Sequence, residues 1–330
     1  MLAITQDSFG GPELLHLTEV PDPEIGPDDV LIQTAACAVN RADLLQRQGH
    51  YPPPAGASPI LGLECSGTIV AIGSAVTSWA VGDQVCALLS GGGYAELVAV
   101  PAPQVLPRPT GVALVDAAGL PEVTCTVWSN LIMRAGLRAG QTLLVQGGTS
   151  GIGTMAIQVG KAAGATVIVT GSREAGLRRC RELGADVTVN YSSEDFVEAV
   201  AAATDGAGAD VILDVVGAKY LQRNISALAL DGSLVIIGMQ GGAKSELDIG
   251  ALMARRGAVI ATALRSRAVT GHGSKGEIVT AVTDHLWPLI SAGTVRPVID
   301  VVLPLAEAAQ AHRRMAEGGH VGKIVLSVSR

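Results

Sequence analysis

Residues 143 to 164 read LLVQGGTSGIGTMAIQVGKAAG, an apolar run followed by clustered glycines and then by a helical pattern. Glycine tolerates positive φ and lets another group approach the main chain closely. A helix that begins directly after such a turn offers free N–H groups and a positive dipole end to an anion. The stretch is typical of a turn that binds the pyrophosphate of a dinucleotide, although a purely structural turn would have the same pattern.

The surroundings of this turn favour the dinucleotide. From about Asp116 onward, short apolar strands alternate with helical patterns. The predicted strands are TLLVQ, ATVIVTG, DVTVNY, DVILDVV, SLVIIG and AVIATAL, and the predicted helices are 152–163, 174–183, 193–203, 218–228 and 248–256. Such an alternation describes a parallel sheet covered on both faces, and so one doubly wound α/β unit.

The two ends of the chain predict a second domain. Segments such as VLIQTAACAV, CSGTIVAIG and AELVAV, separated by proline, glycine and aspartate, indicate β structure with loops in the first hundred residues. The tail predicts a helix over about 275–292, an extended PVIDVVLP, another helix and a closing GKIVLSV strand. We expect these last strands to rejoin the N-terminal β domain, which makes that domain discontinuous.

Composition narrows the function classes. A net charge of −7, with no basic stripe, argues against nucleic acid as a partner. The five cysteines lie far apart without a CxxC pair, which suits reduced thiols. No apolar stretch resembles a membrane-spanning helix, and no secretory signal opens the chain. We therefore expect a cytoplasmic protein without a membrane partner.

Two registers of the dinucleotide fingerprint fit the glycine turn. Gly151–Ile–Gly153–Thr–Met–Ala156 matches GxGxxA, whereas the register from Gly148 to Gly153 has Ser150 at the second glycine but lies closer to the strand end. We prefer the second register because the turn should be tight. The residues predicted to bind the phosphates are Gly148, Thr149, Ser150, Gly151, Ile152 and Gly153.

The end of the second strand bears on the choice of cofactor. An NAD site places an acidic residue there to bind the ribose hydroxyls, but ATVIVTG ends in Gly171, Ser172 and Arg173. A hydroxyl and a guanidinium suit a 2′-phosphate, so the sequence favours NADP(H). Glu174 weakens this preference, and Arg173 is otherwise an ordinary exposed arginine at a helix start.

Motifs along nearly the whole chain resemble the medium-chain dehydrogenase/reductase superfamily, and more narrowly its zinc-free, ζ-crystallin-like NADPH:quinone oxidoreductases. The motifs are NRADLLQRQGHYPPP (40–54), LGLECSG (61–67), MLAITQDSFGGPE at the start, LALDG (228–232), ALRSR (263–267) and GKIVL (322–326). The resemblance implies a GroES-like substrate and catalytic domain over 1–120 and 265–330, and a Rossmann NADP(H)-binding domain over 121–264.

The same resemblance argues against a metal. Zinc-dependent relatives have cysteine at the position of Asn40 and histidine at that of Leu63. Neither asparagine nor leucine replaces a thiolate or an imidazole as a zinc ligand. We therefore expect no metal, and an acceptor that needs little activation, such as a quinone.

The resemblance also implies roles for single residues. Tyr51 would line the quinone pocket, or else pack on the prolines that follow it. Ser150 would touch cofactor and substrate, or cap the helix, which are compatible roles. Asn40 and Asp43 would lie beside the nicotinamide, or cap a turn. Further cofactor contacts are expected from Thr126, Tyr191, Gly238, Met239, Gln240, Leu264, Arg265, Ser266 and Lys323.

These features predict an NADPH-dependent reductase that passes reducing equivalents to a small-molecule quinone in an interdomain cleft. A 2-alkenal or enoyl reductase is the first alternative, and it would need a proton donor, for which Tyr51 is the clear candidate. A nucleotide-binding structural or regulatory protein with little turnover is the second. Relatives dimerise through the edge strand of the nucleotide domain, here AVIATAL (258–264), so we expect a homodimer.

Overall fold

The computed structural model of the chain describes residues 1–328, so the last two residues of the predicted range 265–330 lie outside the described residues. Contacts divide the chain into two compact units. The first comprises Met1–Cys125 and the chain from Leu264 onward, and the second is Thr126–Ala263. The assignment of substrate binding to the first unit and of NADP(H) binding to the second, with the boundaries given above, stays a prediction.

The strands of residues 1–328 are β1 (Leu2–Thr5), β2 (His16–Glu19), β3 (Asp29–Ala38), β4 (Glu64–Ile72), β5 (Gln84–Leu88), β6 (Leu97–Pro101), β7 (Val105–Pro107), β8 (Thr142–Val145), β9 (Thr166–Gly171), β10 (Val187–Asn190), β11 (Ala209–Asp214), β12 (Leu228–Ile236), β13 (Ala258–Ala261), β14 (Ile299–Pro304) and β15 (Lys323–Ser327). The α-helices are α1 (Arg41–Arg47), α2 (Leu114–Ala117), α3 (Pro121–Val127), α4 (Gly151–Ala162), α5 (Glu174–Glu182), α6 (Phe196–Ala203), α7 (Leu221–Ala227), α8 (Ile249–Ala254), α9 (Lys275–His285), α10 (Trp287–Ser291) and α11 (Ala308–Glu317). A π-helical segment, Trp128–Arg134, continues α3.

The first unit is built on a sheet in the order β14-β15-β3-β4-β5-β7, with β6 also paired to β3. Along β3, Val30, Ile32 and Ala36 are buried and alternate with partly exposed residues, which is typical of a strand that packs one face on a core. Strand β15 runs antiparallel to β3, so the end of the chain returns to the sheet that its beginning forms.

The second unit is a parallel sheet in the order β10-β9-β8-β11-β12-β13. Val167, Ile168 and Val169 of β9 are all fully buried, as expected where helices cover both faces of a sheet. The order confirms the predicted doubly wound fold. Successive strands are added toward one edge of the sheet from β8 to β10 and toward the other edge from β11 to β13, and ligands of this fold bind outside the carboxyl ends of the strands where that order reverses. The glycine turn follows β8 at that point.

Three sequence-based predictions of secondary structure were wrong in detail. The predicted helix 275–292 is two helices, since α9 ends at His285 and Pro288 stands in the first turn of α10, where a missing N–H costs nothing. The stretch Arg41–Arg47, within the part predicted as strands and loops, forms helix α1.

The third correction concerns the last strand of the parallel sheet. Strand β13 ends at Ala261, three residues before the predicted end at Leu264. The Thr262 hydroxyl donates a hydrogen bond to Asn130 at 2.6 Å, and the N–H of Arg267 bonds to the Leu264 carbonyl in a turn. Leu264, Arg265 and Ser266 therefore belong to a turn of the first unit rather than to a strand end of the second.

Candidate functional site

The glycine turn is held together by Ser150. Its hydroxyl accepts a hydrogen bond from the Gly153 N–H at 3.0 Å and donates one to the Gly147 carbonyl at 2.9 Å. Ser150 is thus the N-cap of α4, as one of its two predicted roles required. Gly147 has φ of +80°, which a side chain would disfavour. The catalytic role of Ser150 stays a prediction.

Close packing explains the last glycine of the fingerprint. A Cβ on Gly153 would stand 2.6 Å from the Gly148 Cα and closer still to the Gly147 carbonyl oxygen. The first N–H groups of α4, including those of Gly151 and Ile152, have no acceptor within the helix. A twelve-residue helix with free N–H groups behind a tight turn fits a pyrophosphate.

The end of β9 brings together three predicted cofactor residues. Ser172 and Arg173 follow the strand and are exposed, and the N–H of Tyr191 bonds to the Gly171 carbonyl at 3.0 Å. The Tyr191 side chain is 45% exposed. The carboxylate of Glu174 accepts a hydrogen bond from Arg181 at 2.8 Å, so it is engaged along α5. This arrangement leaves Arg173 as a free cation beside the strand end.

The other predicted cofactor residues of the second unit lie in two places. Gly238 packs against the main chain of Val215, and the N–H of Gln240 bonds to the Val215 carbonyl at 3.2 Å, so this loop, which follows β12, lies beside the end of β11. Met239 in the same loop is exposed. Thr126 is buried where α3 passes into the π-helical segment, and its carbonyl accepts a hydrogen bond from Asn130.

In the first unit, Asn40 and Lys323 form one buried cluster with Glu64. The Lys323 ammonium contacts Glu64 Oε1 at 2.6 Å, Asn40 Oδ1 at 2.7 Å and the Val39 carbonyl at 3.1 Å. The Asn40 amide nitrogen donates in turn to Glu64 Oε1 at 2.9 Å. The three donors of Lys323 are thus used within the cluster, which holds the Asn40 carboxamide in one orientation. Contact of either residue with a cofactor stays a prediction.

Asp43 heads a buried hydrogen-bond chain that sequence reasoning missed. Its carboxylate accepts hydrogen bonds from the N–H of Asn40 at 2.8 Å, completing a capping box on α1, and from the Tyr94 hydroxyl at 3.1 Å. Tyr94 also contacts His312 Nε2 at 3.1 Å, and Arg47 lies 3.2 Å from Nδ1 of the same ring.

The protonation states of Asp43 and His312 in this hydrogen-bond chain follow from their burial. Burial raises the pKa of Asp43 to about 6, against its three hydrogen bonds, and lowers the pKa of His312 to about 3, with the Arg47 charge adding to the effect. His312 is therefore neutral at pH 7. With Arg47 donating to Nδ1, its Nε2–H donates to Tyr94, and Tyr94 donates to Asp43.

Glu122 is a further residue that sequence reasoning missed. Its main-chain N–H donates to Glu64 Oε2 at 2.9 Å at the start of α3. Burial, and then the neighbouring Glu64 carboxylate, raise the pKa of Glu122 to about 8. A carboxyl group that stays protonated at neutral pH is unusual outside functional sites. A lone glutamate in an apolar helix carries no sequence signal of this kind.

Tyr51 lies partly buried in the loop that follows α1. Burial raises the pKa of its hydroxyl, and the Arg265 cation lowers it in part. The guanidinium carbon of Arg265 lies 5.3 Å from the centre of the Tyr51 ring. The structure thus brings together Tyr51 and Arg265, which sequence reasoning had assigned to different roles.

The positions that bind zinc in related proteins do not fit a metal here. The Leu63 side chain has no ligand atom and lies in the core, and the Asn40 oxygen accepts from the Lys323 ammonium, which would repel a cation. Within residues 1–328, no group of three or more histidine, cysteine or acidic side chains has a metal-binding arrangement. Over the same residues, no helix has the length and apolar character needed to cross a bilayer.

Comparisons with known proteins cover both units. A family model described as "Alcohol dehydrogenase GroES-like domain" matches residues 26–110, and one described as "Zinc-binding dehydrogenase" matches residues 151–273. A quinone oxidoreductase of Pseudomonas aeruginosa is 33% identical over 97% of this chain and 97% of its own length. A 2-haloacrylate reductase of a Burkholderia species is 30% identical over 96% of each chain.

Solved structures show the same likeness. The crystal structure of an Escherichia coli quinone oxidoreductase complexed with NADPH superposes with a TM-score of 0.87 at 26% identity. The match covers 99% of this chain and all of the other. The likeness therefore extends over both units and includes a protein that binds NADPH.

Proposed function

We propose that this chain, which belongs to the medium-chain dehydrogenase/reductase superfamily, is a zinc-free, NADPH-dependent quinone reductase. The observation that carries the proposal is the combination of two features. The first is Arg173 at the end of β9, where an NAD enzyme has an acidic residue. The second is the presence of Asn40 and Leu63 at the positions where zinc-dependent relatives have metal ligands. Full-length similarity to quinone oxidoreductases gives the substrate class.

The residues of the second unit fit NADP(H). The N–H groups at the start of α4, behind the turn capped by Ser150, would bind the pyrophosphate. Ser172 and Arg173 would bind the 2′-phosphate, with Tyr191 beside them. Glu174 does not oppose this, since its carboxylate is bonded to Arg181. When bound, NADPH supplies a hydride, which together with one proton converts a quinone to a hydroquinone.

The residues of the first unit would orient the acceptor and supply the proton. The Tyr51 hydroxyl stays protonated at neutral pH because burial raises its pKa, so it can donate a hydrogen bond to a quinone carbonyl from Oη. The Asn40 carboxamide, held by Lys323 and Glu64, would supply a fixed dipole to the same proposed site. Without a Lewis acid, these groups stabilise the charge that develops on the acceptor oxygen.

Oxidation of NADPH, followed by absorbance, tests the proposal. An ortho-quinone and a simple enal are supplied side by side, with NADH as a parallel donor. We expect turnover of the quinone with NADPH and much slower turnover with NADH. Tight NADPH binding with neither acceptor reduced would contradict the proposal and favour a nucleotide-binding protein with little turnover.

Reduction of an activated alkene is the second candidate, because a 2-haloacrylate reductase is among the relatives. This reaction needs a proton at the α-carbon, and Tyr51 is the residue that would supply it. Turnover of the enal alone, lost in Tyr51→Phe, would assign the protein to this class instead.

We further propose that the protein is a cytoplasmic homodimer. The five cysteines are free and buried, which suits a reducing compartment. Strand β13 is the last strand of its sheet and contains no charged residue, so it offers an edge on which a second copy can pair.

A further inference from the structure

Arg265 is a buried cation whose hydrogen bonds, within residues 1–328, go to neutral groups. The residue is 3% exposed. Its guanidinium donates to the Ser90 carbonyl at 2.8 Å, to the Tyr51 carbonyl at 3.3 Å and to Gln46 Oε1 at 2.6 Å. Burying a charge without an ion pair is costly, and the nearby Asp43 carboxylate offsets part of that cost for Arg265.

The groups that Arg265 holds are the two ends of one loop. The loop, residues 51–59, begins at Tyr51, which bonds to Arg265 directly. It ends at Pro59, whose carbonyl accepts a hydrogen bond from the Gln46 amide at 2.9 Å. Gln46 therefore links Arg265 to the far end of the loop while its oxygen accepts from the guanidinium.

The loop has few other means of fixing Tyr51. Residues 52–54 are three prolines, which have no N–H to donate. The hydrogen bond that closes the loop internally runs from the Ala57 N–H to the Pro54 carbonyl at 3.1 Å, beyond Tyr51. The N–H of His50, just before Tyr51, bonds to the Leu45 carbonyl at 2.8 Å, and Arg265 fixes the Tyr51 carbonyl that follows.

The other side of Arg265 is anchored as well. The Ser90 carbonyl accepts from Arg265 Nε, and the Ser90 hydroxyl accepts from the Lys275 ammonium at 2.8 Å. Lys275 also donates to the Arg267 carbonyl at 2.9 Å. The guanidinium is thus fixed at Nε, while one terminal nitrogen donates to the Tyr51 carbonyl and the other to Gln46 of α1.

We propose that Arg265 is a positioning residue that fixes Tyr51 for the acceptor, and that it is not a ligand of the cofactor. The proposal rests on the proposed function, because it takes Tyr51 as the residue that meets the acceptor. A loop fixed before binding loses less conformational freedom when the acceptor arrives, so the acceptor binds more tightly. The guanidinium beside the ring also favours the phenolate and so makes the Tyr51 hydroxyl a better proton donor.

Fluorine NMR of the free protein tests this without turnover. The four tyrosines are replaced by 3-fluorotyrosine, and Tyr51→Phe identifies the Tyr51 resonance. In Arg265→Met we expect that resonance to shift and broaden while the other three stay in place. In Arg265→Lys, which keeps the charge without the fork of donors, we expect a smaller shift. Arg108→Met, which removes a guanidinium bonded to the Val112 carbonyl in the same unit, is the matched control.

Kinetics give the second measurement. We expect Arg265→Met to raise KM for the quinone about tenfold, from the added cost of ordering the loop, with the Kd for NADPH changed less than about twofold. A weaker NADPH complex with an unchanged Tyr51 resonance would overturn the proposal and return Arg265 to a cofactor role. If circular dichroism shows that Arg265→Met is unfolded, Gln46→Leu serves instead. It removes the link from Arg265 to the Pro59 end of the loop and should shift the same Tyr51 resonance.

The two proposals fail separately. Absence of quinone turnover in the unaltered protein would reject the proposed function, whereas an unmoved Tyr51 resonance in a folded Arg265 variant would reject this inference alone.

Discussion

The Glu122 carboxyl lies among groups of both charges, and burial decides its protonation. Lys323 and Arg265 favour its carboxylate, while Glu64 and Asp43 disfavour it. Burial has the largest effect and raises the pKa to about 8. The protein therefore holds a neutral carboxylic acid in the same buried surroundings as the Asn40 cluster at pH 7.

This protonation makes the stability of the protein depend on pH. A carboxyl group whose pKa is higher in the folded state stabilises the fold below its unfolded pKa of about 4.5, and this stabilisation is lost as the pH rises through about 8. In denaturant unfolding, the free energy of unfolding of Glu122→Gln should rise by roughly 1–3 kcal/mol relative to the unaltered protein between pH 5 and pH 9. The expected difference is small because Glu122 retains some exposure, so solvent screens its charge. The exposed Glu24→Gln should show no such trend, and equal curves for both variants would contradict the prediction.

Arg173 should decide the choice between the two nicotinamide cofactors. Its side chain is exposed at the end of β9, and within residues 1–328 the neighbouring Glu174 is paired with Arg181 rather than with Arg173. We expect Arg173→Ala to weaken NADPH binding about tenfold, the effect of one lost charge-assisted contact, and to leave NADH binding unchanged. Titration of each nucleotide by fluorescence measures this. Arg179→Ala removes an arginine of the same helix that is paired with Glu182 and should change neither affinity.

Residues near each other in sequence were predictable, and residues brought together by the fold were not. The capping role of Ser150 needs only the glycine turn around it, and the capping box of Asn40 and Asp43 lies within four residues. The hydrogen bond from Tyr94 to Asp43 spans 51 positions, and the contact of Tyr94 with His312 spans 218. No local pattern encodes such pairs, so the buried hydrogen-bond chain from Asp43 through Tyr94 to His312 could be found only in the structure.

At the scale of the element, α4 depends on a glycine that permits close approach of the main chain. A Cβ on Gly153 would overlap the turn at Gly147 and Gly148. We expect Gly153→Ala to lower the melting temperature clearly and to abolish tight NADPH binding, since an overlap with backbone costs about 1–3 kcal/mol or more. Gly250→Ala, also in the first turn of a helix but near a side-chain carboxylate (Asp248) rather than backbone, should be neutral or stabilise by about 0.5–1 kcal/mol. The prediction fails if the two variants behave alike.

The N-caps of two helices offer a second comparison. Ser150 caps α4, and Ser274 caps α9 by accepting from the Glu277 N–H at 3.2 Å. Replacing either serine by alanine should cost about 1 kcal/mol of stability. Of the two variants, only Ser150→Ala should also weaken NADPH binding, because α4 follows the glycine turn and α9 does not. Equal effects on nucleotide affinity, by the same fluorescence titration, would show that the cap has no part in binding.

The limits of elements were harder to predict than their existence. Each predicted strand of the parallel sheet is present, because a run of buried β-branched residues is a strong local signal. Strand β13 nevertheless stops at Ala261, because the Thr262 side chain bonds to Asn130, 132 positions away. The π-helical segment Trp128–Arg134 was not foreseen either, since its pattern of apolar residues does not differ from that of an α-helix.

At the scale of the whole molecule, the doubly wound parallel sheet was predictable from the alternation of strands and helices. Parallel strands need crossover helices, and right-handed crossovers of this length leave few possible topologies. The return of β15 to β3 needed more, because that pairing joins segments nearly 290 positions apart, as in Leu326 opposite Cys37. The extended segments of the tail predicted a return to the N-terminal β domain, but not which strand they would pair with.

The edge of the parallel sheet is where assembly should occur. The N–H of Thr262 bonds to the Ile236 carbonyl at 3.2 Å, toward the sheet. Because the direction of bonding alternates along a strand, the N–H of Ala261 points away from the sheet. Helix α8, which precedes this strand, exposes Ile249 and Met253, the latter 72%. An uncharged strand edge beside exposed apolar side chains is typical of a surface that a second copy covers.

Ala261→Pro tests this assembly without disturbing the core. Proline removes an N–H that faces outward, and edge strands tolerate it where the ladder of their own sheet is not interrupted. Light scattering at micromolar concentration should give twice the protomer mass for the unaltered protein and for Ala261→Thr, and the protomer mass for Ala261→Pro with an unchanged circular dichroism spectrum. A monomeric unaltered protein would remove the homodimer. A dimeric Ala261→Pro would move the interface away from β13, because two edge strands cannot continue one sheet through a residue without its N–H.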